Sequence, residues 1–226
     1  MPNLYVFGDS FTYGYNFYPD EEVRIKSIWA SKLANNLNYN LINYALPGAS
    51  NWRSARILNL LDLKKEDLIV VAFSHHCRFE FGVNNDCMLE PPSLIGDIVE
   101  ENNLTKTKRF FEQLTDRTTD PYVKQFNNLA YTKFYNPYWF SEMQVIMHNS
   151  MLQKVKSSGA KWLFFNAWSS PYETIVNIEE DKNYLFGSIE TLHNKLFPST
   201  PVEYWSEEQH TIIADYLLGA YKNIYS

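Results

Sequence analysis

Near its amino terminus the chain runs Leu4-Tyr5-Val6-Phe7-Gly8-Asp9-Ser10-Phe11-Thr12-Tyr13-Gly14. Four apolar residues stop abruptly at a glycine, the pattern of a short buried strand ended by turn chemistry. Between two glycines the chain must then turn sharply, and the Ser10 hydroxyl is exposed at the strand end. A plain turn in which Asp9 and Ser10 bond their own backbone gives the same local pattern.

The segments that follow keep a rhythm. Ile25 to Leu37 has helical spacing, with Ile25, Ile28, Trp29, Leu33 and Leu37 on one stripe. Asn40 to Leu46 reads as a second strand closed by Pro47-Gly48, and Trp52 to Leu63 as a second helix. Asp67 to Ser74 holds Leu-Ile-Val-Val-Ala-Phe, a near-continuous apolar run of the kind buried on both faces. This alternation of strands and helices predicts an α/β fold, a mostly parallel central sheet between two helical layers. A ligand site is then expected beyond the carboxyl ends of the strands.

From about residue 75 to 136 the rhythm breaks. The segment is rich in Asn, Thr, Asp and aromatics, with one helical stretch at Lys106 to Leu114, and reads as an insertion that caps the site. Asn136-Pro137 then suits a helix start, with apolar spacing continuing through Val155 until Gly159. Lys161 to Trp168 follows as a fourth strand. Ser169 to Pro201 shows weak periodicity, and a closing helix begins near Ser206, where Glu207 and Glu208 oppose the positive end of the helix dipole.

With 226 residues the chain suits one domain with a sizeable core. A 45% hydrophobic and 20% charged composition argues against disorder. Formal net charge is −6, and no run of Lys and Arg is dense enough to follow a phosphate backbone, so nucleic acid is not an expected partner. Two cysteines, Cys77 and Cys87, make no disulfide framework and suit a reducing compartment. Only Met1 to Asn3 precede the first strand, and no apolar stretch approaches about 20 residues, so a soluble, cytoplasmic protein without membrane insertion is expected. Five histidines (His75, His76, His148, His193, His210) lack metal-ligand spacing, and neither metal nor cofactor is expected. Aromatic residues form 16% of the chain, enough to line a cleft as well as a core, and such walls suit sugars and acyl chains.

The Gly8-to-Gly14 stretch resembles the GDSxTxG nucleophile block of the SGNH (GDSL-type) hydrolases, which puts Ser10 at the nucleophile position with Asp9 beside it. Asn43-Tyr44-Ala45-Leu46-Pro47-Gly48-Ala49-Ser50 resembles the family's Asn-x-Gly-x-x-Gly block, with Ala45 in place of the first glycine. The resemblance implies that the Gly48 N–H joins that of Ser10 in an oxyanion hole, where two or three donors converge on developing negative charge. A turn before a helix accounts for Pro47-Gly48 equally well.

Two further blocks depart from the family. Its Gly-x-Asn-Asp after the third strand, whose Asn supplies the last oxyanion donor, is replaced by Ser74-His75-His76-Cys77-Arg78. Gly82-Val83-Asn84-Asn85-Asp86 is a look-alike about eight residues too late, so the substitute donor is expected among Ser74, His75 and His76. Arg78 suits an anionic substrate group or a pairing with Glu80. Before the closing helix the family has Asp-x-x-His or Asp-x-His. Aligned through Trp205-Ser206 and His210-x-x-x-Ala214, the base position falls on Tyr204 and its orienting Asp on Pro201 or Val202.

A serine hydroxyl is a poor nucleophile without a base to take its proton. Three solutions stay open: His210 serves, with Glu203 or Glu207 as partner; His75 or His76 serves; or no base exists and the cleft only binds. In the family's register His210 matches a helix-borne histidine that is not the base.

What the resemblance implies is a serine esterase acting on a carbohydrate O-acetyl or other short-acyl ester through an acyl-enzyme at Ser10. A non-catalytic binding or glycan-recognition protein and an acyltransferase using the same serine are the alternatives.

Overall fold

The structure is a computed structural model that describes residues 1–14, 20–47, 49–74, 137–167, 182–188 and 206–226, with Pro121 and Gln125 as isolated positions. Five strands form one sheet: β1 (Asn3–Phe7), β2 (Asn40–Asn43), β3 (Leu68–Phe73), β4 (Lys161–Asn166) and β5 (Tyr184–Ser188), in the order β2-β1-β3-β4-β5. Every pairing is parallel, with Val6 opposite Asn43 and Val70, and Val70 opposite Leu163. The helices are α1 (Ser10–Tyr13), α2 (Glu21–Ser27), α3 (Trp29–Leu37), α4 (Asn51–Leu60), α5 (Pro137–Ser158) and α6 (Glu207–Tyr225).

Strand residues alternate between two cores, because successive side chains leave opposite faces of a sheet. Leu4, Val6, Leu68, Val70, Ala72, Leu163 and Phe165 pack with Trp29, Leu33, Ile213 and Leu217 of α3 and α6. Tyr5, Phe7, Ile69, Val71, Phe73 and Phe164 pack with Leu58 of α4 and Met147, Met151 and Val155 of α5. All six residues of β3 are buried, as its unbroken apolar run requires. The expected α/β sandwich is the fold observed.

Several elements differ from the sequence pattern, among them β2, which ends at Asn43 and not Leu46, and β4, which ends at Asn166 and not Trp168. The Ile25-to-Leu37 stripe is two helices broken at Ile28, an extended residue (φ −68°, ψ 152°) that ends α2 and begins α3. The break leaves the Trp29 N–H without a helical acceptor, and His210 Nδ1 takes it at 3.2 Å. Strand β5 falls in a stretch without periodicity. It carries only five residues, and its register slips by a bulge between Phe165 and Asn166 on β4. Helix α4 stops at Leu60, short of Leu63. The Lys106-to-Leu114 helix, the insertion read as a cap over the site and both cysteines lie outside the described residues.

Ser206 caps α6 as expected. Its hydroxyl accepts from Gln209 N at 3.4 Å, and the Gln209 side chain accepts from Ser206 N, a reciprocal box that satisfies two orphan donors.

Candidate active site

From β1 the chain goes to β2 on one side and then to β3 on the other, so the topology reverses at β1 and opens a crevice at the carboxyl ends of β1 and β3. Gly8, Asp9 and Ser10 stand there. A Cβ on Gly8 would lie 2.2 Å from Thr12 Oγ1 and 3.2 Å from Ala72 Cβ, which is why the strand must end in glycine. Asp9 is fully buried and extended, and its Oδ1 accepts from Phe11 N at 3.1 Å, capping the single turn of α1. Ser10 opens that turn, half-buried. Gly14 closes it in the left-handed region (φ 75°), donating to Ser10 O at 2.9 Å.

Arg24 of α2 braces the same turn. Its guanidinium lies 3.7 Å over the Tyr13 ring, and Nη1 donates to Tyr13 O, a cation on the carbonyl end of a helical turn.

The second block follows β2. Tyr44 N donates to Val6 O at 2.8 Å and Leu46 N to Gly8 O at 3.3 Å, so this loop runs alongside the Ser10 turn. Ala45 is buried, its N–H donating to Asn43 Oδ1 at 3.0 Å. Ser50 caps α4, accepting from Arg53 N at 3.2 Å. Gly48 itself lies outside the described residues.

At the end of β3, Ser74 is tied into a run of hydrogen bonds. Its N–H donates to Asn51 Oδ1 at 2.8 Å, its carbonyl accepts from Asn51 Nδ2 at 2.9 Å, and its Oγ donates to Asp9 Oδ2 at 3.3 Å. Both Ser74 donors are therefore committed. Asn51, which the sequence reading passed over, holds this strand end; the signal in sequence was only an Asn directly after a helix cap. His75, His76, Arg78 and the Gly82-to-Asp86 look-alike lie outside the described residues.

Tyr204, Pro201, Val202 and Glu203 also lie outside them. His210 is buried in the first turn of α6, and burial, helped by the Lys32 charge, pushes its pKa down to about 3. Because Nδ1 accepts from Trp29 N, the neutral ring carries its proton on Nε2. Its other nitrogen is then a donor, so His210 as base requires the Trp29 bond to break. Glu207 ion-pairs with Lys32 at 3.0 Å instead of serving as the imidazole's partner.

A second buried histidine, His148 of α5, sits among Phe73, Phe164 and Tyr184, with ring centroids 5.0 to 5.7 Å away. Burial pushes it down to about 4, and Lys156 adds to this.

A family model described as GDSL-like Lipase/Acylhydrolase matches residues 4–138, more than half of the chain. This chain belongs to the GDSL-like lipase/acylhydrolase family. A search of the curated proteins finds no match. Among solved structures the chain is similar to the crystal structure of TesA, with 13% identity, a TM-score of 0.53, and coverage of 98% of this chain and 99% of that one. It is also similar to a carbohydrate esterase whose active site is described as displaying divergent catalytic and non-catalytic binding functions, with 12% identity, a TM-score of 0.47, and coverage of 98% of this chain and 68% of that one.

The GDSL-like family is one of ester hydrolases, and in this member Ser10 opens the capped turn that follows β1. Among the described residues no group of three or more His, Cys, Asp or Glu could hold a metal ion. Nor is any described helix long and apolar enough to cross a membrane.

Proposed function

We propose that the chain is a serine esterase that cleaves a short acyl ester, of the O-acetyl carbohydrate type, through an acyl-enzyme at Ser10. The observation that carries this reading is the capped turn holding Ser10 half-exposed at the sheet's switch point, with Asp9 buried beneath it. In this reading Ser10 Oγ attacks the ester carbonyl and its proton passes to a base. The alcohol leaves with a proton, and water then hydrolyses the acyl-serine. The N–H groups of Ser10 and Gly48 receive the oxyanion. Since the Ser74 donors are committed, a third donor falls to His75 or His76. The aromatic-rich composition supports sugars as the alcohol portion.

His210 supports α3 in this reading, and the base lies elsewhere, with His75 and His76 as the remaining imidazole candidates from the sequence. The Trp29-to-His210 bond also favours a second reading, a binding protein that keeps the cleft without a base.

The test is hydrolysis of a short-chain aryl acetate with serine-directed phosphonate labelling, on wild type, Ser10→Ala, His210→Ala, His75→Ala and His76→Ala. Turnover and label lost in Ser10→Ala establish the serine esterase. Turnover retained in His210→Ala and lost in a His75 or His76 variant locates the base. Neither turnover nor label in wild type overturns the reading in favour of the binding protein.

A further inference from the structure

Four segments distant in sequence are joined by one run of hydrogen bonds at the carboxyl edge. Gln144 Oε1 on α5 accepts from Asn51 Nδ2 at 2.7 Å, and Asn51 at the start of α4 binds both backbone groups of Ser74, at 2.8 and 2.9 Å. Ser74 Oγ donates to Asp9 Oδ2 at 3.3 Å, and Asp9 Oδ1 receives the Phe11 N–H of the turn that bears Ser10.

We propose that Asn51 and Gln144 are positioning residues for Ser10, acting through Ser74 and Asp9. The chemistry of the amide explains the choice of residue. Asn51 offers an acceptor and two donors in one plane, so it completes β3 at Ser74 as a neighbouring strand would, and its second N–H is spent on Gln144. An aspartate of the same shape has no donor for either the Ser74 carbonyl or Gln144. The Asn51 side chain is almost fully buried, so solvent is no substitute partner. Ser74 held in this register aims its hydroxyl at Asp9, and Asp9 is the cap that sets the direction of Ser10. Nothing in this run touches the reacting atoms; it fixes where the nucleophile stands.

The inference rests on the esterase reading only for its activity readout. The experiment compares wild type, Asn51→Asp, Gln144→Leu and Gln144→Glu by hydrogen exchange read by mass spectrometry and by the rate of phosphonate labelling at Ser10. Asn51→Asp and Gln144→Leu are expected to raise exchange over residues 8–14 by about tenfold, with residues 161–162 at the opposite edge staying protected. Labelling is expected to slow by about ten- to a hundredfold, the size of effect a misplaced nucleophile produces. Gln144→Glu keeps the acceptor and is expected to stay closer to wild type than Gln144→Leu in both readouts. Unchanged exchange over 8–14 in Asn51→Asp overturns the proposal, and so does equal loss of protection at both edges, which marks a merely structural role. If wild type takes no label, the esterase reading falls, and the exchange result alone decides the relay.

Discussion

At the amino edge of the sheet, polar groups close on one another; at the carboxyl edge, they converge on a serine. Asp67, buried before β3, accepts from Asn3 N and Lys64 N at 2.9 Å each, while its carbonyl takes Lys161 N at 2.9 Å. Lys161 Nζ donates to Tyr221 OH at 2.7 Å, and the Tyr225 hydroxyl both accepts from Trp162 N at 2.9 Å and donates to Trp162 O at 3.0 Å. This edge pins the end of α6 to the start of β4. The other edge has the same richness in polar contacts, yet its run of bonds ends on Asp9 and the turn of Ser10. Among the described residues it also carries two buried histidines, His148 packed on Phe73 at the end of β3 and His210 bonded to the start of α3. The same chemistry that locks one edge therefore orients the other, and perturbations of the two should separate stability from activity.

The largest expected effect is acid loss of stability, and it should begin at the carboxyl edge. Both histidines have folded pKa values below the unfolded value of about 6.5, so the unfolded chain binds more protons as pH falls. Their contribution is full above about pH 6.5 and is lost progressively toward about pH 4 for His148 and about pH 3 for His210, together several kcal/mol. Urea titrations at pH 7.5 and 4.5, with exchange mapped on each edge, check this. A midpoint that does not fall with pH would remove the histidines from the account.

Next in size is Asp67→Ala, which strands two N–H groups and is expected to cost about 3 kcal/mol. Equilibrium unfolding should show the loss, while phosphonate labelling of the folded fraction stays at the wild-type rate. Gly8→Ala attacks the other edge: the new Cβ collides with Thr12, for about 2 kcal/mol of overpacking. Here labelling should fall beyond what unfolding explains, and a stability loss without a labelling loss would erase the contrast between the edges. The smallest is Tyr225→Phe, expected to cost about 1.5 kcal/mol because Trp162 and Asn183 lose their shared hydroxyl. A melting curve lowered by a few degrees, with unchanged activity, is the expected outcome.

Much of this was legible in the chain because it is local. An apolar run ended by glycine, an Asp and Ser between two glycines, and a Ser followed by two Glu are short-range patterns, and β1, the Ser10 turn and the α6 cap follow them. The break at Ile28 was hidden because both halves of the stripe are apolar, and the acceptor that makes the break tolerable sits 181 residues away on His210. Strand β5 was hidden because its residues are made a strand by β4 beside them. Ser74 was one of three candidates for an oxyanion donor, with His75 and His76; that its donors go to Asn51 and Asp9 depends on partners 23 and 65 residues away.

By itself, then, the sequence determined the layered α/β architecture and the glycine-flanked turn that carries Ser10, since periodicity and turn chemistry act over a few residues. Only the tertiary structure decided how Ser10 is held, which donors are already spent and what His210 bonds to. Those outcomes depend on which distant groups meet in a buried space, where each polar atom must find a partner.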